Sequence, residues 1–400
     1  MKAFIISLGC PKNLTDTEVL MGKLVATGYE IANSPSDADI IIINTCAFLK
    51  SAREETLATI KEMAKWRKKG KKLYIAGCYP KWNKGKKMPG VDGLVNSLGL
   101  FDACTPRIKA TSPWFAYVKI AEGCNNKCSY CLIPSIRGKL KTRPVNDVLQ
   151  EVRQLAERGV KEIIFIAQDT TAHPKFAEIL QKTARIKKVR WIRVMYAHPA
   201  HLTDKIINVM AQEKKIVKYL DLPIQHCNDK ILQSMNRHVT RSRIESLIKK
   251  IRRQIPTIAL RTSVIVGYPG ESDAEFSELV DFIKEVKFSR LGAFTYSREE
   301  GTPAGKLRGP ALTAGRQESS GRIEKIMRAQ AHISKGLNKK MIGRTLEVLI
   351  EGANFGRSYM DAPEVDGRVF IKSRKTLTPG EIRKVRITKT RTHDLYGVIT

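Results

Sequence analysis

The sequence has no long apolar run, and its N-terminus carries no export signal. No stretch approaches the roughly 20 apolar residues that a membrane-spanning helix needs, and the apolar residues 2–8 lack a cleavage-site pattern. We therefore expect a cytoplasmic protein with no membrane association. The cytosol keeps thiols reduced, so the eight cysteines are better interpreted as metal ligands than as disulfides.

Acidic residues are also scarce: 39 stand against 71 basic residues, which gives a formal net charge of +32. Such an excess predicts a polyanionic partner, most simply RNA or a ribonucleoprotein surface. The alternative is a lysine-rich solvated surface of the kind that some proteomes favour. Charge indicates attraction to anions in either case, but it does not identify the atom that reacts.

Histidine is absent around the densest cysteine group, which comprises Cys124, Cys128 and Cys131 in the spacing C-x3-C-x2-C. Three thiolates on one loop can hold a cubane iron–sulfur cluster whose fourth iron has no protein ligand and is free to bind a small molecule. A zinc site would prefer paired CxxC motifs or added histidines, and three unrelated buried thiols are the remaining alternative. The spacing favours the cluster.

The first 106 residues predict a doubly wound α/β domain, because buried-strand runs at 2–8, 39–44 and 72–77 alternate with helical patterns. Each run is followed by a cysteine: Cys10, Cys46 and Cys78. The carboxyl ends of parallel strands meet at one edge of a sheet, where ligands gather. Position alone leaves two interpretations open, a second three-cysteine cluster or small buried hydrophobes at strand ends.

Residues 110–338 predict six strand–helix units, too few for a closed eight-fold barrel but enough for a partial (β/α)6 barrel with its reactive groups at the carboxyl strand ends. The predicted strands are 115–120, 162–166, 191–195, 219–222, 259–266 and 291–296. A helix is predicted over 317–340. Residues 339–400 then change to short alternating strands at 345–350, 367–371 and 381–388, which predict a small, basic, antiparallel, OB-like β-barrel or sandwich.

The cysteine loop, with Tyr130 before its last cysteine, resembles the radical S-adenosylmethionine (SAM) enzymes. The resemblance implies that the open iron binds the amino and carboxyl groups of SAM, and that the reduced cluster cleaves a carbon–sulfur bond to give a 5′-deoxyadenosyl radical. It also implies roles for four side chains. Tyr130 and Val266 would lie near the adenine, Gln168 near the methionine amine and Arg193 near the SAM carboxylate.

The whole chain resembles the methylthiotransferases of that superfamily. These have three further dispersed cysteines, as at Cys10, Cys46 and Cys78, and the motif Ile133-Pro-x2-Arg-Gly138 followed by Thr142-Arg-Pro144. The resemblance implies two [4Fe–4S] clusters, one that generates the radical and one that holds the sulfur to be methylated and transferred. It further implies a flavodoxin or ferredoxin as electron donor and a C-terminal TRAM domain that binds RNA or substrate. A β-cap that only stabilises the barrel is the alternative for that domain.

Three segments resemble the subgroup that methylthiolates the β-carbon of an aspartate in ribosomal small-subunit protein twelve: residues 7–13, 221–226 and 356–367. The subgroup that modifies an adenosine in transfer RNA usually has Gln and Met after its first cysteine and Ser where His226 stands. Thr15, Thr17 and Cys227 depart from the ribosomal-protein pattern without touching a predicted ligand.

A non-enzymatic RNA-binding protein with a structural cluster is a third hypothesis. The open C-x3-C-x2-C site argues against it, because a purely structural site should be closed. Cys104 and Cys227 have no predicted role.

Overall fold

The N-terminal part of the chain forms a five-stranded parallel sheet in the order β2-β1-β3-β4-β5. The protein was analysed as a computed structural model, which describes residues 1–307 and 316–400. The elements of this part are β1 Lys2–Ser7, α1 Pro11–Ala26, β2 Glu30–Ile31, β3 Ile40–Thr45, α2 Lys50–Met63, β4 Lys72–Gly77, α3 Cys78–Trp82 and β5 Gly93–Leu94.

The run of isoleucines in β3 explains why this sheet is covered on both faces. Ile41 and Ile43 pack with Ile60 of α2, whereas Ile40 and Ile42 pack with Leu20 of α1. Successive strand residues point to opposite faces, so a continuous apolar strand needs a helix on each side. The predicted doubly wound α/β architecture is confirmed.

The central part is an open, all-parallel, six-stranded sheet in the order β13-β12-β11-β10-β9-β6, as predicted. Its strands are β6 Phe115–Lys119, β9 Glu162–Ile166, β10 Trp191–Val194, β11 Ile216–Asp221, β12 Ala259–Val266 and β13 Arg290–Thr295, with the short pair β7 Ala121–Glu122 and β8 Lys141–Thr142 at the cysteine loop. Its helices are α4 Ile133–Arg137, α5 Val145–Glu157, α6 Phe176–Ala184, α7 Asp204–Gln212, α8 Asp229–Ser234, α9 Arg241–Gln254, α10 Asp273–Val286 and α11 Arg316–Lys339.

Alternate residues of these strands serve two separate cores. Ile163 and Phe165 of β9 join the main core with the surrounding helices. Ile164 and Ile166 face the concave side, where they pack with side chains of the C-terminal domain, including Met360. No helix among the residues that the structure describes is both long and apolar enough to cross a membrane.

The C-terminal strands close into a barrel in the order β14-β15-β16-β18-β17. They are β14 Thr345–Ile350, β15 Phe355–Ser358, β16 Val369–Lys372, β17 Ile382–Thr390 and β18 Leu395–Ile399. The predicted small barrel is confirmed, with two differences. The strands β15 and β18 were not predicted, and β16 pairs with β18 in parallel, so the barrel is not purely antiparallel.

Residues 357–366, which we call the insert segment, reach from the C-terminal barrel into the concave side of the central sheet. Arg357 forms a buried ion pair with Glu162 of β9 at 2.6 Å, and Asp361 pairs with Arg290 of β13. The Tyr219 hydroxyl donates to Asp366 at 2.8 Å. The insert segment therefore fixes the C-terminal barrel against the interior of the central domain through buried, paired charges.

Candidate functional site: two cysteine groups joined by a buried network

The C-x3-C-x2-C loop follows β6 and β7 at the carboxyl edge of the central sheet, where the strand pattern predicted reactive groups. The backbone N–H groups of Asn126 and Ile133 donate to the sulfurs of Cys124 and Cys131, both at 3.4 Å. Gly123 has a φ of +74°, and a Cβ atom there would lie 2.3 Å from the carbonyl oxygen of Lys139. Only glycine fits this close turn, so the backbone is shaped to bring sulfur atoms to one point.

These thiols are partly buried and electrostatically coupled. Burial raises the pKa of Cys131 to about 12 and also raises the pKa of Cys124. The guanidinium of Arg237 lies 3.7 Å from the Cys128 sulfur. Thiols of this kind are neutral until a metal displaces their protons, which is the ordinary chemistry of thiolate ligands.

The second group is assembled from three neighbouring strands. Cys10 precedes α1, Cys46 follows β3 and Cys78 begins α3 directly after β4. The strand register sets Ser7 of β1 opposite Asn44 of β3 and Thr45 opposite Gly77. The carboxyl ends of these strands therefore coincide.

Glycine makes the close approach of the second group possible. Gly9 has a φ of +91°, and a Cβ atom there would lie 2.8 Å from the Cβ atom of Cys46. The three thiols influence one another's pKa, so the structure brings Cys10, Cys46 and Cys78 together. Sheet topology accounts for this meeting, which the strand-end positions of the three cysteines had left as one of two interpretations.

Neighbouring cations distinguish Cys10 from the other thiols. Burial alone would raise the pKa of Cys10, but Lys12 and Arg137 outweigh it and lower the pKa overall. Burial raises the pKa of Cys78 to about 11 and also raises that of Cys46. Cys10 is thus the thiol most readily ionised in this group.

A buried polar network joins the two cysteine groups. Arg137, six residues after Cys131, donates through Nη1 to Asp16 at 3.1 Å and to Glu122 at 2.9 Å. Its Nη2 donates to the side-chain oxygen of Asn13 at 3.0 Å. Lys119 forms ion pairs with the same two carboxylates. We call Asn13, Asp16, Lys119, Glu122 and Arg137 the interdomain network, because it fixes the first domain against the cysteine loop of the second.

Three of the four predicted SAM contacts lie close to the cysteine loop or at the carboxyl strand ends. Gln168, just past β9, donates to Glu122 at 3.4 Å, and its buried carbonyl oxygen has no partner. Tyr130 packs on the apolar cluster around Tyr268. Val266 is fully buried at the end of β12. The free Gln168 oxygen is the kind of acceptor that an ammonium group needs.

Two of the three guanidinium nitrogens of Arg193 are engaged away from the cysteine loop, and the buried Nη2 has no hydrogen-bond partner among the residues that the structure describes. Nε donates to Glu162 at 2.6 Å, and Nη1 donates to the carbonyl oxygen of Tyr359 in the insert segment at 2.9 Å. The side chain is fully buried in the middle of β10, on the concave face that the C-terminal barrel covers. The role of Arg193 at the SAM carboxylate stays a prediction, which these two contacts argue against, and the guanidinium that lies 3.7 Å from the Cys128 sulfur is that of Arg237.

Sequence reasoning also missed a polar triad beside the loop. Asp169 accepts from Asn126 at 2.9 Å and pairs with His201 at 2.6 Å. The ligand atoms of Asp169, His198 and His201 all lie within 4.8 Å of one another. Burial, followed by the nearby Arg237, lowers the pKa of His198 to about 3, so this ring is neutral. Only the position of Asp169 after a predicted strand could have indicated the triad.

Both cysteine groups fit iron–sulfur clusters by the chemistry of their donors. Each offers three sulfurs on backbone that glycine brings close, and in the first loop N–H groups donate to sulfur, a feature that tunes such clusters. The other two cysteines belong to neither group. Cys104 is exposed beside Gln150, and Cys227 is fully buried in the main apolar core.

Comparison with known families divides the chain in the same places as its fold. Residues 118–283 match the Radical SAM superfamily, residues 342–400 match the TRAM domain, and residues 2–96 match the Uncharacterized protein family UPF0004. The radical SAM match covers the cysteine loop and the open sheet from the end of β6 to β12, and β13 lies beyond it. The TRAM match covers the closed C-terminal barrel.

Solved structures support the fold. A radical SAM methyltransferase, TsrM from Kitasatospora setae, superposes with a TM-score of 0.54 at 12% identity, over 76% of this chain and 77% of that one. A second TsrM structure gives a TM-score of 0.52 at 11% identity, over 88% and 79% of the two chains. At such low identity, this likeness concerns architecture alone.

Relatives of known name match nearly the whole chain. The ribosomal protein uS12 methylthiotransferase RimO of Heliobacterium modesticaldum is 41% identical over 99% of this chain and 95% of its own length. The enzyme of the same name from Caldicellulosiruptor saccharolyticus is 41% identical over the full length of both chains, and that from Desulforamulus reducens is 40% identical over 98% of each. The chain therefore belongs to the ribosomal protein uS12 methylthiotransferase family of radical SAM enzymes, which use SAM and [4Fe–4S] clusters.

Proposed function

We propose that this chain adds a methylthio group to the β-carbon of an aspartate in ribosomal protein uS12. The observation that carries the proposal is the interdomain network, which joins two three-thiol groups in a chain whose full-length relatives are uS12 methylthiotransferases. Two such groups are what a reaction needs when it must both open an unactivated C–H bond and deliver sulfur.

Cys124, Cys128 and Cys131 would hold one cluster together with SAM, and Cys10, Cys46 and Cys78 would hold the other. When bound, SAM at the first cluster supplies hydrogen-atom abstraction and the second cluster supplies the sulfur. The protein's own contribution is orientation. Gln168 offers a free oxygen to the SAM amine, and Arg237 is the buried cation nearest to the loop.

Arg137 keeps the two groups in register, because it donates to Asp16 and Asn13 of the first domain and to Glu122, which lies just before the cysteine loop. Each of their charges is paired, so the network adds no net attraction for solvent or stray ions. Apolar side chains around Tyr130 and Tyr268 exclude water from the opposite side of the loop.

The surface supports a partner on the ribosome. Strand β17 alternates buried Val385 and Ile387 with exposed Arg383, Lys384, Arg386 and Lys389. Such a basic stripe would contact ribosomal RNA beside the protein substrate through its phosphates. A cytoplasmic location and a flavodoxin or ferredoxin donor belong to the same proposal.

Mass spectrometry on cells that lack the gene tests the substrate. We expect uS12 to lose the mass of one CH2S unit and bulk transfer RNA to remain unchanged. Loss of the modification from transfer RNA, with uS12 unaltered, would establish the adenosine alternative, which the full-length relatives do not favour.

A further inference from the structure

Lys12 reaches from the first domain into the mouth of the central sheet. It lies in the first turn of α1, two residues after Cys10, and only 8% of its surface is exposed. Its ammonium nitrogen lies 3.3 Å from the ring centre of Tyr196, which follows β10 at the carboxyl edge of the central sheet. Lys12 thus stands between the second cysteine group and the carboxyl edge of the central sheet.

Tyr196 is held in a costly conformation beneath this ammonium. Its φ is +59°, a left-handed geometry that a bulky residue rarely adopts. Its backbone N–H donates to Asp221 at 3.1 Å. Strain of this kind persists where the surrounding structure enforces it, and it gathers at functional sites.

The carboxylates around Lys12 are already paired with other cations. Asp16 and Glu122 are both engaged by Lys119 and Arg137. Asp221 accepts from Arg261 at 2.9 Å. Within the residues that the structure describes, Lys12 itself forms no ion pair or hydrogen bond through its ammonium, and its polar contact is the ring of Tyr196.

Burial, together with Arg137, lowers the pKa of Lys12, while Cys10, Asp221 and Glu122 act in the opposite direction. A cation–π contact offsets only part of the cost of burying an ammonium, and Asp221 and Glu122 are already engaged by other cations. An incoming carboxylate would give the Lys12 ammonium an ion-pair partner.

We propose that Lys12 binds the side-chain carboxylate of the substrate aspartate, an inference that rests on the proposed function above. The carboxylate is bonded to the β-carbon, so anchoring it fixes the position of the C–H bond that must be opened. An ion pair formed at this buried position also selects aspartate over asparagine, because the neutral amide leaves the ammonium unpaired.

A competing role for Lys12 is to balance the charge of a cluster bound through Cys10, which is two residues away. The two roles differ in one measurable respect. A substrate-binding lysine discriminates between a carboxylate and an amide on the substrate, whereas a cluster-balancing lysine affects both substrates alike.

The experiment uses the anaerobically reconstituted enzyme with SAM and no reductant. Four forms of the enzyme are compared: wild type, Lys12→Gln, Lys12→Arg and the control Lys23→Gln. For each form, affinity is measured for purified uS12 and for uS12 whose target aspartate is changed to asparagine. Lys23 lies in the last turn of the same helix and is exposed. Wild type and control should prefer aspartate by about tenfold or more, Lys12→Gln should lose the preference, and Lys12→Arg should keep part of it.

Iron content and the free energy of unfolding are measured for each variant alongside the binding titration. Lys12→Gln should retain full iron and should not be less stable than wild type, because it removes a buried unpaired charge. An unchanged aspartate preference in Lys12→Gln, an equal loss of affinity for both forms of uS12, or a loss of iron would each overturn the inference. Failure of the wild type to bind either form of uS12 would instead overturn the proposed function, and this inference with it.

Discussion

The two cysteine groups reach similar donor sets by different routes. Cys124, Cys128 and Cys131 share one loop, whose backbone supplies its own N–H donors and its own glycine turn. Cys10, Cys46 and Cys78 depend on the register of three parallel strands. The first group is therefore a local structure, whereas the second exists only when the sheet is folded.

The groups also differ in charge. Burial raises the pKa of Cys131 to about 12, and no lysine lies next to it in the sequence. Cys10 has Lys12 and Arg137 nearby, and they lower its pKa. The difference is confined to Cys10, because burial raises the pKa of Cys46 and Cys78 as well.

Removing one ligand from the local loop should have the largest effect. Cys128→Ala should abolish SAM cleavage and lose half of the iron, that is about four of roughly eight atoms per chain. The measurement is anaerobic reconstitution followed by iron counting and assay of 5′-deoxyadenosine. Cys104→Ala is the matched control, because that thiol is exposed and belongs to neither group. Continued SAM cleavage by Cys128→Ala would contradict the ligand assignment.

Breaking the interdomain network should cause the largest loss of stability. Arg137→Met leaves Asp16 and Glu122 to share Lys119, and an uncompensated buried charge costs roughly 3–5 kcal/mol. Urea denaturation measures the loss. Arg67→Met, which breaks an exposed pair with Asp92 in the same domain, should cost less than about 1 kcal/mol. Equal losses for the two variants would show that the network does not hold the cysteine groups together.

Substitutions of Arg193 and Gln168 should distinguish a structural contact from a cofactor contact. Arg193→Met should destabilise the protein by about 3 kcal/mol, because Glu162 loses one of its two buried partners, while the Kd for SAM stays within about twofold. Gln168→Leu should weaken SAM binding by about tenfold with little change in stability, since it removes one polar contact. Both variants are checked by equilibrium binding of SAM, which gives the Kd, and by urea denaturation, which gives the stability. Loss of SAM binding in Arg193→Met at unchanged stability would support the original assignment.

Several of these features could be predicted from the sequence, and the reasons are physical. Strand runs and cysteine spacing are local, so the three-cysteine loop and the strand-end positions of Cys10, Cys46 and Cys78 follow from them. The face that Arg193 presents, and the insert segment that covers it, depend on docking between distant parts of the chain. Arg237 lies beside Cys128 although the two residues are far apart in sequence, and no spacing pattern predicts their contact.

Iron loading should depend on pH more steeply at the loop than in the first domain. Raised pKa values keep Cys124 and Cys131 protonated near neutrality, so binding of iron must release their protons and strengthens as the pH rises. In the first domain Cys46 and Cys78 release protons in the same way, but Cys10, with its lowered pKa, has less to release, so the slope there should be shallower.

Iron is titrated at several pH values into Cys46→Ala, which retains the loop group, and into Cys128→Ala, which retains the first-domain group. The two slopes of iron affinity against pH are then compared. A steeper slope for the first-domain group would refute this electrostatic distinction.

The smallest effects belong to the two remaining cysteines. Cys227→Ala should keep the full iron content and cost about 1 kcal/mol, since it removes one buried sulfur from the main core. Cys104→Ala should change neither iron content nor stability measurably. Iron counting and denaturation suffice, and a loss of half the iron in either variant would mean that a ligand has been misassigned.

The central claim is that the two groups hold separate clusters with separate tasks, and Cys46→Ala tests it most directly. One anaerobic preparation of this variant is assayed for iron, for 5′-deoxyadenosine and for methylthiolated uS12. We predict half of the wild-type iron, continued SAM cleavage and no methylthiolation. Normal methylthiolation, or loss of SAM cleavage together with all of the iron, would contradict the division of labour.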